Sequence, residues 1–505
     1  MAADQNTEAA QTRIVAFLAH PAAHGLPQGE KVGHVQTPIS HVFLAGSTAW
    51  KLKRAVRLPY ADFSMLDRRA QFCRRELAVN AGAGDLYQGV VPVTEGPSGL
   101  AIDGYGRVVD WLVKMRRFDR RQELDRLADA GALSRPMIEA LALSLARLHR
   151  QAPVRMPEGG ADTLRVTIER LAAHFAAIAP RPIRAEISRW SAAALAETER
   201  HAAIRHQRIR LGHLRRCHGD LHLGNIVMLD GVPVPFDAIE FDERIATVDV
   251  LHDLAFALAD LILRDRRAEA ALLLSTYLGI AGGYSGLALM PLFLSQRAAV
   301  RAMVAMAEGE TDKAATRLAF ARAALDPLPR PRLIAIGGMS GTGKSTLSQA
   351  LAPLAAPLAG AVVIRSDLAR KRLARAAPTD RLGETGYTAR MDGLVIRRIM
   401  RDARNALLAG HAVILDATFL GPMMREGAEA VARDMGLTLE TLWLSAPLDM
   451  AVTRVERREG DASDATAEIV ARQAPSATPP SSWHRIDATP GTEAVLAAAR
   501  AHLGL

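Results

Sequence analysis

Leu333-Ile334-Ala335-Ile336-Gly337-Gly338-Met339-Ser340-Gly341-Thr342-Gly343-Lys344-Ser345-Thr346 decides the fold of the C-terminal part of this 505-residue chain. The apolar run at 333–336 reads as a buried strand, Gly338 to Ser345 fits GxxxxGK[ST], and Thr346-Leu347-Ser348-Gln349-Ala350-Leu351 continues as helix. Strand, glycine turn and helix in that order suit phosphate binding. Glycines let backbone N–H groups turn inward around phosphate oxygens, and the helix N-terminus adds its positive end. Gly338, Met339, Ser340, Gly341, Thr342, Gly343 and Thr346 would form the cradle. Lys344 would reach the transferred phosphate, and Ser345 would ligate Mg²⁺. Only seven of the 63 basic residues are lysines, so a lysine at a motif position is less easily a coincidence.

Working outward, the apolar runs 333–336, 361–364, 412–415 and 439–444 alternate with helical stretches, the pattern of a parallel α/β sheet. Two of these runs lead on to a carboxylate, beyond the strand end where such folds bind ligands. Asp367, after Val362-Val363-Ile364-Arg365-Ser366, is a candidate base for an attacking hydroxyl; it equally suits an N-cap. Asp416, closing Val413-Ile414-Leu415, is placed to hold Mg²⁺ through water. Arg454, Arg457 and Arg458 share one expected helix and are candidates for closing over phosphates, although arginines on a helix are usually a solvated face. Residues from about 332 to 480 resemble the small P-loop kinases, the group of gluconate kinase, adenylylsulfate kinase and polynucleotide kinase. That resemblance implies ATP, Mg²⁺ and a hydroxyl acceptor, and leaves the acceptor unspecified.

Upstream, Asp326-Pro327-Leu328-Pro329-Arg330-Pro331 prohibits helix and reads as a linker. It divides an N-terminal domain, 1–325, from a C-terminal one, 332–505. Strand-like segments run to about Val113, and mostly helix follows. In His218-Gly219-Asp220-Leu221-His222-Leu223-Gly224-Asn225-Ile226, an Asp and an Asn share a loop, and Val232, Val234 and Phe236 lead on to Asp237. Phosphoryl transfer uses one Asp to orient the hydroxyl and an Asn and second Asp to hold Mg²⁺. A zinc site fits this spacing poorly. The segment resembles the aminoglycoside/choline phosphotransferase family, with the signature HGDxHxxN. The resemblance implies a two-lobed protein-kinase-like fold, with the small lobe at about 1–113 and the large lobe at about 114–325. It makes Asp220 the catalytic base and Asn225 and Asp237 the metal ligands. Such a site also needs a strand lysine paired with a helix glutamate. Val42 to Lys53 reads as a hairpin with Lys51 and Lys53 on one face; Lys51 is chosen, with Glu76 as partner. The turn has only Gly46, thin for a glycine-rich cover. Asp110 to Met115 fits the inter-lobe hinge, and Asp249 and Asp253 are expected to brace the catalytic loop.

Composition agrees with a folded multi-domain protein: 49% hydrophobic, 23% charged, two cysteines. The cysteines are too few for a disulfide framework or a thiolate metal site. The net charge of +9 is spread along the chain, with 21 basic and 18 acidic residues from Arg332 onward. Nucleic acid is therefore not an expected partner. The uncharged stretch from Ala270 to Gln296 could span a bilayer by length, but Gly282-Gly283-Tyr284-Ser285-Gly286 and Pro291 favour two buried helices joined by a turn. With no secretory pattern at the start, a cytoplasmic location is expected. Both motif sets, in this order, resemble the bacterial fusion proteins that join an aminoglycoside phosphotransferase-like domain to a P-loop kinase domain. The resemblance implies an ATP-dependent phosphotransferase with two nucleotide sites. Alternatives are a nucleotide-gated regulatory module in one half, or 5′-hydroxyl kinase activity on a polynucleotide.

Overall fold

Alternation governs residues 33 to 116, and the computed structural model shows what it builds; the model describes residues 8–58, 61–156, 163–457 and 462–505. Arg458 lies outside the described residues. Six strands form one antiparallel sheet: β1 (Gly33–Gln36), β2 (Ser40–Ala45), β3 (Thr48–Lys53), β4 (Tyr87–Gly96), β5 (Gly99–Ile102) and β6 (Arg107–Arg116), in the order β1-β2-β3-β6-β4-β5. On β3, Trp50 and Leu52 face one side, where helix α1 (Glu8–Leu18) places Ile14 and Leu18 beside Phe43, Val93 and Leu112. Ala49, Lys51 and Lys53 face the other side, against helix α2 (Leu66–Val79). That helix buries Arg69, Ala70, Cys73 and Glu76, one stripe at helical spacing. A hairpin, β7 (Ile226–Leu229) and β8 (Val232–Pro235), turns at Asp230-Gly231, both at positive φ. This is the primed turn that suits a two-residue hairpin.

These elements belong to the first of two compact units, Met1–Ala130 with Ala152–Arg155 and Leu214–Val248. The second holds Gly131–Gln151, Met156–His213 and Asp249–Leu505. The expected linker at 326–331 therefore lies inside the second unit.

The second unit carries a five-stranded parallel sheet: β9 (Leu333–Gly337), β10 (Val362–Arg365), β11 (Val413–Asp416), β12 (Leu439–Ser445) and β13 (His484–Asp487), in the order β10-β11-β9-β12-β13. This is the parallel α/β sheet expected. Its helices include α3 (Arg135–Gln151), α4 (Val250–Leu263) and α5 (Arg267–Ala281), followed in sequence by a short turn of 3₁₀ helix and the helix Met290–Ala307. Residues Tyr284–Ala307 are long and apolar enough to cross a membrane, yet they lie mostly buried among other helices. The break at Gly282 and Gly283 separates two helices, as the glycines indicate.

Helix α5 covers the edge of the parallel sheet. Ser275 Oγ accepts the Val363 N–H at 3.0 Å, and Arg267 donates to the Ala356 carbonyl at 2.9 Å. Gly279 lies so close that an added Cβ would stand 2.8 Å from a Leu368 methyl. Nearby, His411, fully buried before β11, donates from Nε2 to the Leu287 carbonyl at 3.0 Å. Burial lowers its pKa to about 4, despite that carbonyl, which favours the charged form. A group protonated more readily unfolded, near pH 6.5, than folded gives stability that is present above about pH 6.5 and lost as pH falls toward about 4. Thermal melts of the full chain and of His411→Gln, which keeps a donor but does not titrate, should differ less and less across that window. A constant gap would remove this account.

Candidate active site

In the first unit, the chain pins its acidic loop to the hairpin by backbone bonds. Phe236 N–H donates to the Asn225 carbonyl at 2.9 Å, and His218 Nε2 bonds the Phe236 carbonyl at 2.8 Å. Asp237, the next residue, is therefore fixed beside the 218–225 loop. It sits at φ +61°, a left-handed conformation rare for a residue with a Cβ. Tyr87 Oη accepts its N–H at 3.0 Å, and Asn80 Oδ1 accepts the N–H of Ala238 at 3.0 Å. Asn225 Nδ2 donates to the Asp220 carboxylate at 3.2 Å. The structure thus gathers Asp220, Asn225 and Asp237, as expected.

Lys51 completes the set. Its Nζ lies 2.7 Å from Glu76 Oε1 and 2.5 Å from Asp237 Oδ1. The sequence reading missed the second half of this network: Lys53 Nζ takes Glu76 Oε2 at 2.6 Å and also pairs with Glu240. Burial alone would raise the Glu76 carboxyl, but two ammonium groups hold it down at about 2. Lys51 stays protonated against its own burial because Asp237 and Glu76 face it. Asn225 and Asp237 offer the oxygen ligands that Mg²⁺ prefers, so the donor set fits that ion.

The expected hairpin forms, and the reading of Asp110 to Met115 needs correction. Gly46 lies in the turn from β2 to β3; the preceding connection is Thr37-Pro38-Ile39, without glycine. Asp110 to Met115 is no hinge but the interior of β6, because Asp110 is fully buried and binds Arg69 Nε at 2.8 Å and Gln11 at 2.7 Å. Asp249 caps α4 and pairs with Arg208, while Asp253 faces His149 at 3.2 Å.

In the second unit, the residues after β9 wrap into a loop under close constraint. Gly338 and Gly341 have φ of +134° and +84°, and a Cβ on either would come within 2.4 Å of the Leu444 or Ala451 carbonyl. Gly338 N–H donates to the Thr418 carbonyl at 3.1 Å, and Gln473 Oε1 accepts the Ser340 N–H at 2.8 Å. Helix α6 (Lys344–Ala355) starts at the lysine, whose Nζ lies 2.8 Å from the Met339 carbonyl. Asp416 and Arg365 are register neighbours at the ends of β11 and β10, and form a buried ion pair at 3.5 Å. Asp367 is the second residue of helix α7 (Ser366–Ala374), whose N-cap is Arg365, so it is not the cap.

A cavity of about 410 Å³ joins these groups: Lys344, Ser345, Thr346, Asp367 and Asp416 all line it. Ser345 and Asp416 supply oxygen donors on its wall, a set that fits Mg²⁺. Arg454 and Arg457 do not line it. Arg454 donates instead to the Ala488 carbonyl at 2.9 Å, and Arg457 ends helix α8 (Leu448–Glu456). Arg135 and Glu139, from α3, line the cavity instead; nothing in the sequence around them signals it.

Residues 333–480 match the model of the AAA domain. The chain is 30% identical over 468 residues to an uncharacterised protein of Mycobacterium tuberculosis, across 90% of this chain and 91% of that one. Part of it is 34% identical over 119 residues to the adenylyl-sulfate kinase of Myxococcus xanthus, 23% of this chain and 59% of that one. Among solved structures it is similar to a choline/ethanolamine kinase family protein from Mesorhizobium loti, at 15% identity and a TM-score of 0.40, covering 64% of this chain and 96% of that one. The chain belongs to the same family as the Mycobacterium tuberculosis protein, and its residues 333–480 match an AAA domain.

Proposed function

We propose that this protein transfers the γ-phosphate of ATP to a hydroxyl of a small molecule, with the AAA domain as one catalytic site and the Lys51–Asp237 unit as a second. The observation that carries this reading is the convergence of Lys344, Ser345, Asp367 and Asp416 on one cavity at the C-terminal ends of parallel strands. In that cavity the loop amides and Lys344 would bind the ATP phosphates. Asp367 would take the proton of the acceptor hydroxyl as its oxygen bonds the γ-phosphorus and the bond to the ADP oxygen breaks. Bound Mg²⁺, held by Ser345 and Asp416, would neutralise charge on the phosphate oxygens. In the first unit, Asp220 is the corresponding base, Lys51 orients phosphate, and Asn225 and Asp237 would hold Mg²⁺. A cytoplasmic location suits an ATP-dependent enzyme with free thiols at Cys73 and Cys217.

Calorimetry of the full chain with Mg·ATP should lose one binding site in Lys344→Ala. Asp367→Asn should keep that affinity within a few-fold while transfer falls by about 100-fold or more. ATP binding indifferent to Lys344→Ala would remove the proposal for this domain.

A second reading, that the first unit binds nucleotide as a regulatory module, is favoured by the glycine-free connection at Thr37-Pro38-Ile39. The two readings separate on Asp220. Asp220→Asn, on a partly exposed loop, should cost under about 1 kcal/mol of stability in urea. It should nevertheless abolish one phosphotransfer activity if the unit is catalytic, and none if it only regulates. Glu76→Gln removes the carboxylate that bridges the two buried ammonium groups, leaving Lys51 to Asp237 and Lys53 to Glu240, and should cost about 2 kcal/mol or more. A smaller loss would show that the network contributes little to folding.

A further inference from the structure

The phosphate cavity of the AAA domain is walled partly by chain that precedes the prolines. Arg135, Pro136 and Glu139, at the start of α3, share it with Lys344, Ser345 and Asp367. The two charged residues are coupled: Arg135 Nε donates to Glu139 Oε1 at 3.0 Å, one helical turn away. Both side chains are partly shielded, about 35% and 26% exposed, and so remain accessible to a ligand in the cavity.

The helix that carries them is anchored at its other end. His149, buried, bonds Tyr277 Oη on α5 at 2.8 Å and faces Asp253 on α4 at 3.2 Å. Because α5 also caps β10 through Ser275, α3 is tied to the sheet that holds the phosphate loop. The guanidinium is thus carried on a rigid element, as a charge-stabilising group requires. Phosphoryl transfer spreads negative charge over the equatorial oxygens, and an arginine supplied from elsewhere in the same chain can meet it. Arg454 and Arg457, the arginines expected to do this, are outside the cavity.

We propose that Arg135 is the arginine that stabilises the transferring phosphoryl group in the AAA-domain site, with Glu139 as its positioning residue. The inference rests on the phosphotransfer reading of that site and adds a residue to it. Its consequence is that the AAA domain is catalytically incomplete without α3, a helix from before the linker.

The test uses the full chain carrying Asp220→Asn, so that the AAA-domain site dominates phosphotransfer, and Mg·ADP with and without aluminium fluoride as probes. Aluminium fluoride should tighten Mg·ADP binding by mimicking the transferring group. Arg135→Ala should leave Mg·ADP affinity within about threefold while losing at least about tenfold of that tightening; phosphotransfer should fall in proportion. Arg135→Lys should restore little, since a point charge does not replace the planar fork. Glu139→Gln should lose part of the tightening and leave Mg·ADP affinity unchanged. Full tightening in Arg135→Ala would overturn the inference alone. Mg·ADP binding at this site that ignores Lys344→Ala would overturn the site reading beneath it, and the inference with it.

Discussion

The outer strand of a parallel sheet carries backbone amides that its neighbour cannot satisfy, and in this protein that constraint sets what packs where. Strand β10 is such an edge. Its Val363 N–H is taken by Ser275 Oγ, and the helix carrying that serine presses close enough that a Cβ on Gly279 would stand 2.8 Å from a Leu368 methyl. Covering this edge commits α5 to the sheet, α5 holds α3 through the bond between Tyr277 and His149, and α3 delivers Arg135 to the phosphate cavity. A backbone requirement at one edge of the sheet therefore bears on which side chains the cavity receives.

The first unit is governed by charge. Lys51 and Lys53 stand on the face of β3 that packs against α2, where Glu76 bridges them and Asp237 and Glu240 add a further carboxylate each. Two cations against three anions leave one negative charge in excess, which a bound cation would balance. Each lysine is held by two carboxylates, so the cluster is a rigid scaffold for Asp237. The left-handed backbone at Asp237 is sustained by the same surroundings, with Tyr87 and Asn80 taking the flanking N–H groups.

Much of this was legible in the sequence because it is local. The phosphate loop, Lys344, Asp416 and four of the five parallel strands follow from apolar runs and glycine spacing. The fifth strand, His484–Asp487, escaped because it lies at the other edge, buries only Ile486 and shows no apolar run. The three prolines do break helix, as their φ restriction demands, but a local break is not a boundary of contact; residues on both sides fall in one unit. Lys53 was visible as a face-mate of Lys51, whereas Glu240 carried no motif. Arg135 is the extreme case: in sequence it is one arginine among many, and its role depends on packing between elements far apart along the chain.

The two sites gather charge by different physical means. In the AAA domain, phosphate would be held largely by backbone amides, whose orientation is enforced by the close approach of Gly338 and Gly341 to neighbouring carbonyls. Those dipoles are fixed by main-chain geometry and need no proton inventory. In the first unit the charge is carried by side chains, two cations against three anions, so a proton or ion gained at one member alters the field at all the others. The Lys51–Asp237 cluster therefore holds its shape by charge pairing, whereas the AAA-domain loop holds its shape through covalent and steric constraint.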